Sequence, residues 1–381
     1  MKHNFIEFCN RSATNSTTVA SKIARRSIGL GLAAIQIFLV ADAFAQASER
    51  GAYQMPYTRY EADIAARSAN TQIMQTTNFD IATTASEASE QKYINLPVPN
   101  SSIEWTVNTA GNGVTVRYTM PDSADGEGLN GSIDIYVNGQ FDQTVPITSH
   151  YAWQYYVHQE PENTPVPFAN SDYIAMRFDE THFLLKTAVK AGDKIRIQKN
   201  TNDNLAYGID FIELEPVPAQ LTKPAGYVSI ADFGATPNDS VSDLTAFNSA
   251  LAAAGAAGTG VYLPAGKWDF NNKVVLTTSN IGIKGAGMWY TEIYYSNPAK
   301  FSGGMLSRVT NVEISDIYFN TINNKRFAQP GDYMIYKAFM GTYGANSKFR
   351  NVWAEHFEVG AWLGGYDAPY PVDVTSNLLI S

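Results

Sequence analysis

Trp353-Ala354-Glu355-His356 sets an indole, a carboxylate and an imidazole beside one another. An indole face can stack on the apolar C–H patch of a sugar ring, and a carboxylate can bond its hydroxyls. Glu355 could instead orient His356, or the two could form a pair that ties structural layers together around a buried tryptophan. Glu355 as a catalytic acid lacks a partner, because no second carboxylate is evident beside it. Trp289, Tyr290 and Tyr366 are further aromatic candidates. A long, turn-rich stretch between Ser149 and Asp179 carries Tyr151, Trp153, Tyr155, Tyr156 and Tyr173. A loop of that length inside a compact domain is usually functional or mobile. Some of these rings would serve as sugar platforms and the others would pack under the loop.

Other chemistries are disfavoured. The single cysteine, Cys9, lies in an N-terminal leader, so no disulfide framework, cysteine–metal site or thiol nucleophile is expected beyond it. His150, His158 and His182 do not share metal-ligand spacing and read as structural or surface residues. Gly285-Ala286-Gly287 has no following Lys-Ser/Thr and reads as a turn, not a phosphate loop. The formal charge is −9, and removing the leader's five basic and two acidic residues takes it to −12. Nucleic acid and anionic membranes are therefore poor partners, and polyuronates are disfavoured relative to a neutral polysaccharide.

The elements that must position these residues follow from the pattern. Residues 1–47 read as a signal peptide: Arg25-Arg26, an apolar run from Ile28 to Val40, then small-x-small cleavage patterns around Ala43 to Ala47. Secretion to the periplasm or outside the cell follows, with no membrane contact after cleavage. Residues 53–216 show many short alternating runs, among them Ile103–Val107, Val114–Met120, Ser132–Asn138, Lys194–Gln198 and Tyr207–Glu215, which predict a β-sandwich. Residues 217–225 are a Pro-rich, stiff linker. Residues 226–381 begin with one amphipathic helix (N-cap at Ser242-Asp243; apolar face Leu244, Phe247, Ala250 and Leu251; stop at Gly255 and Gly258), followed by short β runs starting at Ile281, Val312, Phe349 and Val374. Irregular spacing of such runs predicts parallel β-helix coils with variable loops, and the helix would plug the open end. The fold class is all-β, and a monomer is expected.

The first module resembles carbohydrate-binding modules of families 6 and 35. The ordered set Tyr60-Glu61-Ala62, Tyr93-Ile94, IEWTV, VTVRYTMPDSADG, SIDIYVNG, AGDKIRIQK and GIDFIELE carries the likeness. The resemblance implies a jelly-roll, galactose-binding-like sandwich that binds a polysaccharide. It also implies a structural calcium, for which Glu61 and Asp210 match the family's two acidic positions. No cofactor is expected for catalysis.

The second module resembles pectate-lyase-like β-helix enzymes through ADFGATPND, DLTAFNSALAAAG, GTGVYLPAGKW and IKGAGMWYTEI. GAGMWYT together with NVWAEHFEVGAWLGGY is similar, more narrowly, to glycoside hydrolase family 87, whose members hydrolyse α-1,3-glucan or mixed α-1,3/α-1,4-glucan. The resemblance implies catalytic aspartates in an Asp-Gly and an Asp-Asp-Gly element. Both would lie one and two coils beyond Ser381, so no catalytic residue carries over and an N-terminal fragment without hydrolytic activity is expected. A non-catalytic glucan-binding protein is the alternative, and a pectin-type lyase or polygalacturonase is a more distant one.

Overall fold

The structure is a computed structural model. It describes residues 55–79, 83–124, 128–152, 154–157, 160–162, 175–299, 301–322, 336–357, 359–363 and 379–380, with backbone alone at 154–157, 160–162, 175–176, 336 and 379–380. Its first half is two antiparallel sheets. The six-stranded sheet runs Asp179–Val189, Gly111–Thr119, Tyr207–Glu215, Lys92–Leu96, Gln72–Gln75, with Thr58–Glu61 also on Tyr207–Glu215. The five-stranded sheet runs Ala66–Arg67, Ser102–Thr106, Lys194–Gln198, Asn130–Val137, Gln140–Thr148. Alternation explains the packing. Ile133, Ile135, Val137, Ile195 and Ile197 point from one sheet, and Val114, Val116, Ile209 and Ile212 from the other, into one shared core. The sandwich expected over this region is thus present. The aromatic stretch after Ser149, expected as a loop, carries a small sheet of its own: Gln154–Val157 between Glu160–Glu162 and Ala175–Met176.

The second half is a stack of parallel coils. Val228, Val261, Ile283, Ile314, Phe349 and Ile380 pair in register on one face. Trp268, Ile293, Phe319 and Ala354 do so on a second, and Val274, Met305, Phe339 and Ala361 on a third. The residues of the first two rows up to Phe349, with Val274, Met305 and Phe339, meet in a single core cluster. Ile281 pairs with Val312 as the run starts suggest, but Phe349 pairs with Ile314, and its partner on the next coil is Ile380. Val374 lies outside the described residues. The chain turns between faces at Asp316 and Asn351, both in the left-handed region, which Asp and Asn tolerate better than most residues. The Asn351 amide donates to Asp316 across the coils at 2.9 Å.

The expected helix is α1, Leu244–Ala257. Its buried Phe247, Ala250, Leu251 and Ala254 close the core, with the Phe247 ring 5.0 Å from Phe270. Asp243 holds the N-cap position but makes no side-chain cap. Its carboxylate instead accepts from the backbone N–H of Thr236 and Asp269, tying the helix start to the first coil. Gly258 in the left-handed region ends the helix. Gly255 does not: it lies inside α1, where a Cβ would stand 2.8 Å from Thr278, so its role is close packing. Among the described residues, no helix is long and apolar enough to cross a membrane.

The linker is docked, not free. Val217 N–H donates to Asn112 Oδ1 on the sandwich side at 2.8 Å, while on the coil side Leu221 N–H donates to Ala286 O at 2.8 Å and Leu221 O accepts from the Tyr262 hydroxyl at 2.6 Å. Residues 55–381 accordingly form one compact unit.

Candidate functional site

The second coil face presents an outward row one position out of phase with its buried row. Lys267, Glu292, Tyr318 and Trp353 pair in register from coil to coil. Beside Tyr318, two residues on, stands Asn320. Trp268, Ile293 and Phe319 anchor this row because their side chains are fully buried. Strand Asp179–Val189, at the edge of the six-stranded sheet, lies over the row and brings His182 onto it.

His182 sits inside a ring of aromatic side chains. Its centroid is 4.3 Å from Trp353, 4.8 Å from Tyr318 and 5.7 Å from Trp289, and the two indoles lie 4.6 Å apart. His182 Nδ1 is 3.3 Å from Glu355 Oε1, and the Tyr318 hydroxyl donates to Glu355 Oε2 at 2.9 Å. Burial works to raise the Glu355 pKa. The His182 hydrogen bond and charge, followed by His356 and the Tyr318 hydroxyl, outweigh it and hold the carboxyl below its ordinary value. Burial, reinforced by the Glu355 charge, drives the Tyr318 phenol well above the usual range, so it stays a donor.

His356 does not pair with Glu355. Its Nδ1 lies 2.7 Å from Asn320 Oδ1, while the Asn320 amide donates to Glu292 Oε1 at 3.0 Å. With the Asn320 oxygen as acceptor, Nδ1 carries the proton. Burial lowers the His356 pKa to about 4, so the ring is neutral at ordinary pH. Tyr151, from the sandwich, stacks on that ring at 3.6 Å and 20°, and burial pushes its phenol up to about 12. Asp179 stands close by, its Oδ2 accepting from the Tyr118 hydroxyl at 3.3 Å, and burial, partly offset by the Glu180 N–H and reinforced by the Glu355 charge, takes it up to about 7.

Trp353, Glu355, His356, Trp289 and Tyr151 thus come together in one seam between the two halves. Trp289 also donates its indole N–H to Glu215, and Tyr290 its hydroxyl to Pro218 O at 2.8 Å. Tyr155 falls on the strand Gln154–Val157, where only backbone is described, and Trp153 and Tyr366 lie outside the described residues. His182, Glu292, Tyr318 and Asn320 were not legible as site residues. The only trace was the period-two outward phase of Glu292, Tyr318 and Asn320, and nothing local marks His182.

Glu61 and Asp210 meet elsewhere, through Ser89. Its hydroxyl donates to Glu61 Oε1 at 3.0 Å and its N–H to both Asp210 oxygens at 3.0 Å. Arg117 Nε lies 3.1 Å from Asp210 Oδ2. Burial raises both carboxyls, Asp210 to about 7 even with the guanidinium beside it. These are two hard oxygen donors, of the kind Ca²⁺ takes six to eight of, and they already accept from Ser89, with Arg117 beside Asp210. Among the described residues, no group of three or more His, Cys, Asp or Glu converges as a metal cluster.

Comparison with known proteins places these features. Residues 54–217 match the family described as alpha-1,3-glucanase catalytic domain D1, and residues 227–331 match rhamnogalacturonase A/epimerase, pectate lyase-like. The sandwich is therefore matched as a part of a catalytic domain. The Agl-KA catalytic domain superposes with a TM-score of 0.77 and 48% identity over 84% of this chain and 55% of that one. The catalytic unit of the thermostable GH87 alpha-1,3-glucanase from Streptomyces thermodiastaticus strain HF3-3 gives 0.64 and 27% over 82% and 52%. A GH87 alpha-1,3-glucanase catalytic domain solved with nigerose, at 0.62 and 22% over 82% and 53%, shares the fold. The chain spans a little over half the length of each of these solved chains. No curated protein matches it. In sequence and fold the chain is similar to the alpha-1,3-glucanase catalytic domains of glycoside hydrolase family 87.

Proposed function

We propose that this is a secreted protein of α-1,3-glucan hydrolysis, and that these 381 residues hold the glucan without cleaving it by themselves. The match of the sandwich to catalytic domain D1, running without a break into coils that superpose on an alpha-1,3-glucanase catalytic unit, carries the substrate reading. Glycoside hydrolysis needs two carboxylates flanking the bond, one of them free to move a proton. The seam carboxylates are otherwise engaged: Glu355 with His182 and Tyr318, Glu292 with Asn320, Asp179 with Tyr118. That engagement favours binding over cleavage for the chain alone, and mixed α-1,3/α-1,4-glucan fits the same chemistry. Trp353, Trp289 and Tyr151, with Tyr155, Trp153 and Tyr366, are the aromatic contacts this reading assigns to the ligand side, and the sandwich acts with them as a jelly-roll sugar-binding module. Sedimentation with insoluble α-1,3-glucan should carry the protein down with little reducing sugar released. Retention on polygalacturonate instead would overturn the substrate class, and steady release of reducing sugar would overturn the claim that binding is separate from cleavage.

Glu61 and Asp210 are the side chains that would hold a structural Ca²⁺ in the sandwich. The convergence of both carboxylates on Ser89 supports this. Chelation by EDTA should then lower the melting temperature, and an unchanged melting curve would exclude the ion.

A further inference from the structure

Beside the seam lies an open cavity of about 310 Å³. Both halves of the protein wall it: His182 and Leu184 from the sandwich edge, Lys267, Trp289 and Glu292 from the coils, and Asn238 from the loop ahead of α1. Its size is at the lower end of small-ligand sites, enough for one or two pyranose units.

The polar groups at its wall are only partly used. Glu292 lines the cavity and accepts from Asn320 through Oε1, so its second oxygen is not used in that bond. The Lys267 ammonium rests 3.5 Å over the Tyr294 ring and makes none of the ion pairs found among the described residues. Asn238 uses its side-chain oxygen to accept from Lys267 N–H at 3.1 Å, so its amide N–H₂ remains a donor. His182 spends Nδ1 on Glu355, leaving Nε2. One cation and one carboxylate stand together, so the cavity as a whole is close to neutral. That balance disfavours a phosphate or carboxylate ligand and suits hydroxyls, which both donate and accept. Trp289 adds an apolar ring, and its orientation is fixed by its bond to Glu215.

The geometry points to this cavity as a binding pocket for a neutral pyranose of the glucan, shared between the sandwich and the coils. It rests on the α-glucan reading above and deepens it. A ligand there contacts both halves at once, so its binding also clamps the seam, and melting temperature should rise with sugar concentration by mass action.

The test is calorimetric titration of the full chain with nigerose, glucose and glucose 6-phosphate, on wild type, Glu292→Gln and Asn238→Ala. Glu104→Gln on the five-stranded sheet serves as the control, and near-UV circular dichroism confirms folding. Saturable one-to-one binding of nigerose, weakened tenfold or more by Glu292→Gln or Asn238→Ala and unchanged in Glu104→Gln, is the expected result. Glucose binding in the same pattern would narrow the pocket to one unit. Equal affinity in all variants, no nigerose binding, or tighter binding of the phosphate ester would overturn the inference. Sedimentation with insoluble glucan separates the two levels. Wild type retained on glucan but blind to nigerose removes the pocket alone, and loss of both removes the glucan reading as well.

Discussion

His182 Nδ1 and Glu355 Oε1 stand 3.3 Å apart across the seam between the sandwich edge and the fourth rung of the outward row. Each side chain is largely covered, at 17% and 28% exposure, so the pair is screened less than a surface ion pair. Removing one partner would leave the other half-buried with an unmet polar atom. His182→Ala should therefore cost about 2 kcal/mol of stability. Glu355→Gln, which keeps a hydrogen-bond acceptor, should cost less. Chemical denaturation of both variants checks the order. Equal, negligible losses would mean the seam is held by the aromatic ring contacts alone. Because the Glu355 pKa is depressed in the folded state, its contribution is present above the unfolded value of 4.5 and is lost as pH falls through the lower folded value.

His356 predicts a pH trend of its own. Its folded pKa of about 4 lies below the unfolded value of 6.5, so between those values the unfolded chain binds a proton that the folded one refuses. Stability from this group therefore falls as pH drops from 6.5 toward 4, by on the order of 2–3 kcal/mol. Its Cα is in the left-handed region at φ 63°, which Asn tolerates. His356→Asn should flatten the acid side of a melting-temperature profile between pH 4 and 6.5. An unaltered profile would show that His356 protonates freely in the folded state.

The same two residues mark what the sequence could and could not convey. Trp353, Glu355 and His356 were readable as a group because they are adjacent on one strand end. Their partners were not. His182 belongs to the other half of the chain, and only the docking of strand Asp179–Val189 on the coils brings it near, which no local pattern encodes. Of the readings open for Glu355, a pairing with His356 gives way to two separate bonds, His182 with Glu355 and Asn320 with His356. The coils were readable from alternation, but alternation cannot fix register beyond two residues: Val312 and Ile314 are both inward, and Phe349 pairs with the second. Gly255 read as a helix stop for a related reason. Sequence marks the glycine but not whether it is there for a turn or for Thr278 to pack against.

Asp179 should behave oppositely to His356. Burial raises its folded pKa to about 7 from 3.8, so it favours the folded state below pH 3.8 and loses that stabilisation as pH rises through 7. Asp179→Asn removes the charge while keeping an oxygen for the Glu180 N–H. The variant should match wild type near pH 3.5 and exceed it near pH 8 by about 1 kcal/mol, discounted from the full shift for relaxation around the site. Denaturation midpoints at the two pH values test this. A variant less stable at both would show that Asp179 is held as a carboxylate.

Gly113 offers a steric test of the seam that leaves every titratable group in place. It lies on strand Gly111–Thr119 at ordinary φ, so a larger residue there meets no backbone strain. A Cβ would nevertheless stand 2.4 Å from Val217 and 2.7 Å from the Trp289 ring. Val217 is pinned by Asn112, and Trp289 by Glu215 and its edge-to-face contact with Trp353, so neither can retreat without loosening the linker or the aromatic ring around His182. Gly113→Ala should cost about 1–3 kcal/mol, as overpacking of a tight contact does. Its signature is displacement of Trp289, read as a change in near-ultraviolet circular dichroism and as weaker nigerose binding, since that ring also walls the cavity. If Gly113→Ala binds and melts as wild type does, the seam is looser than its contacts describe, and the cavity wall is not set by the packing of the two halves.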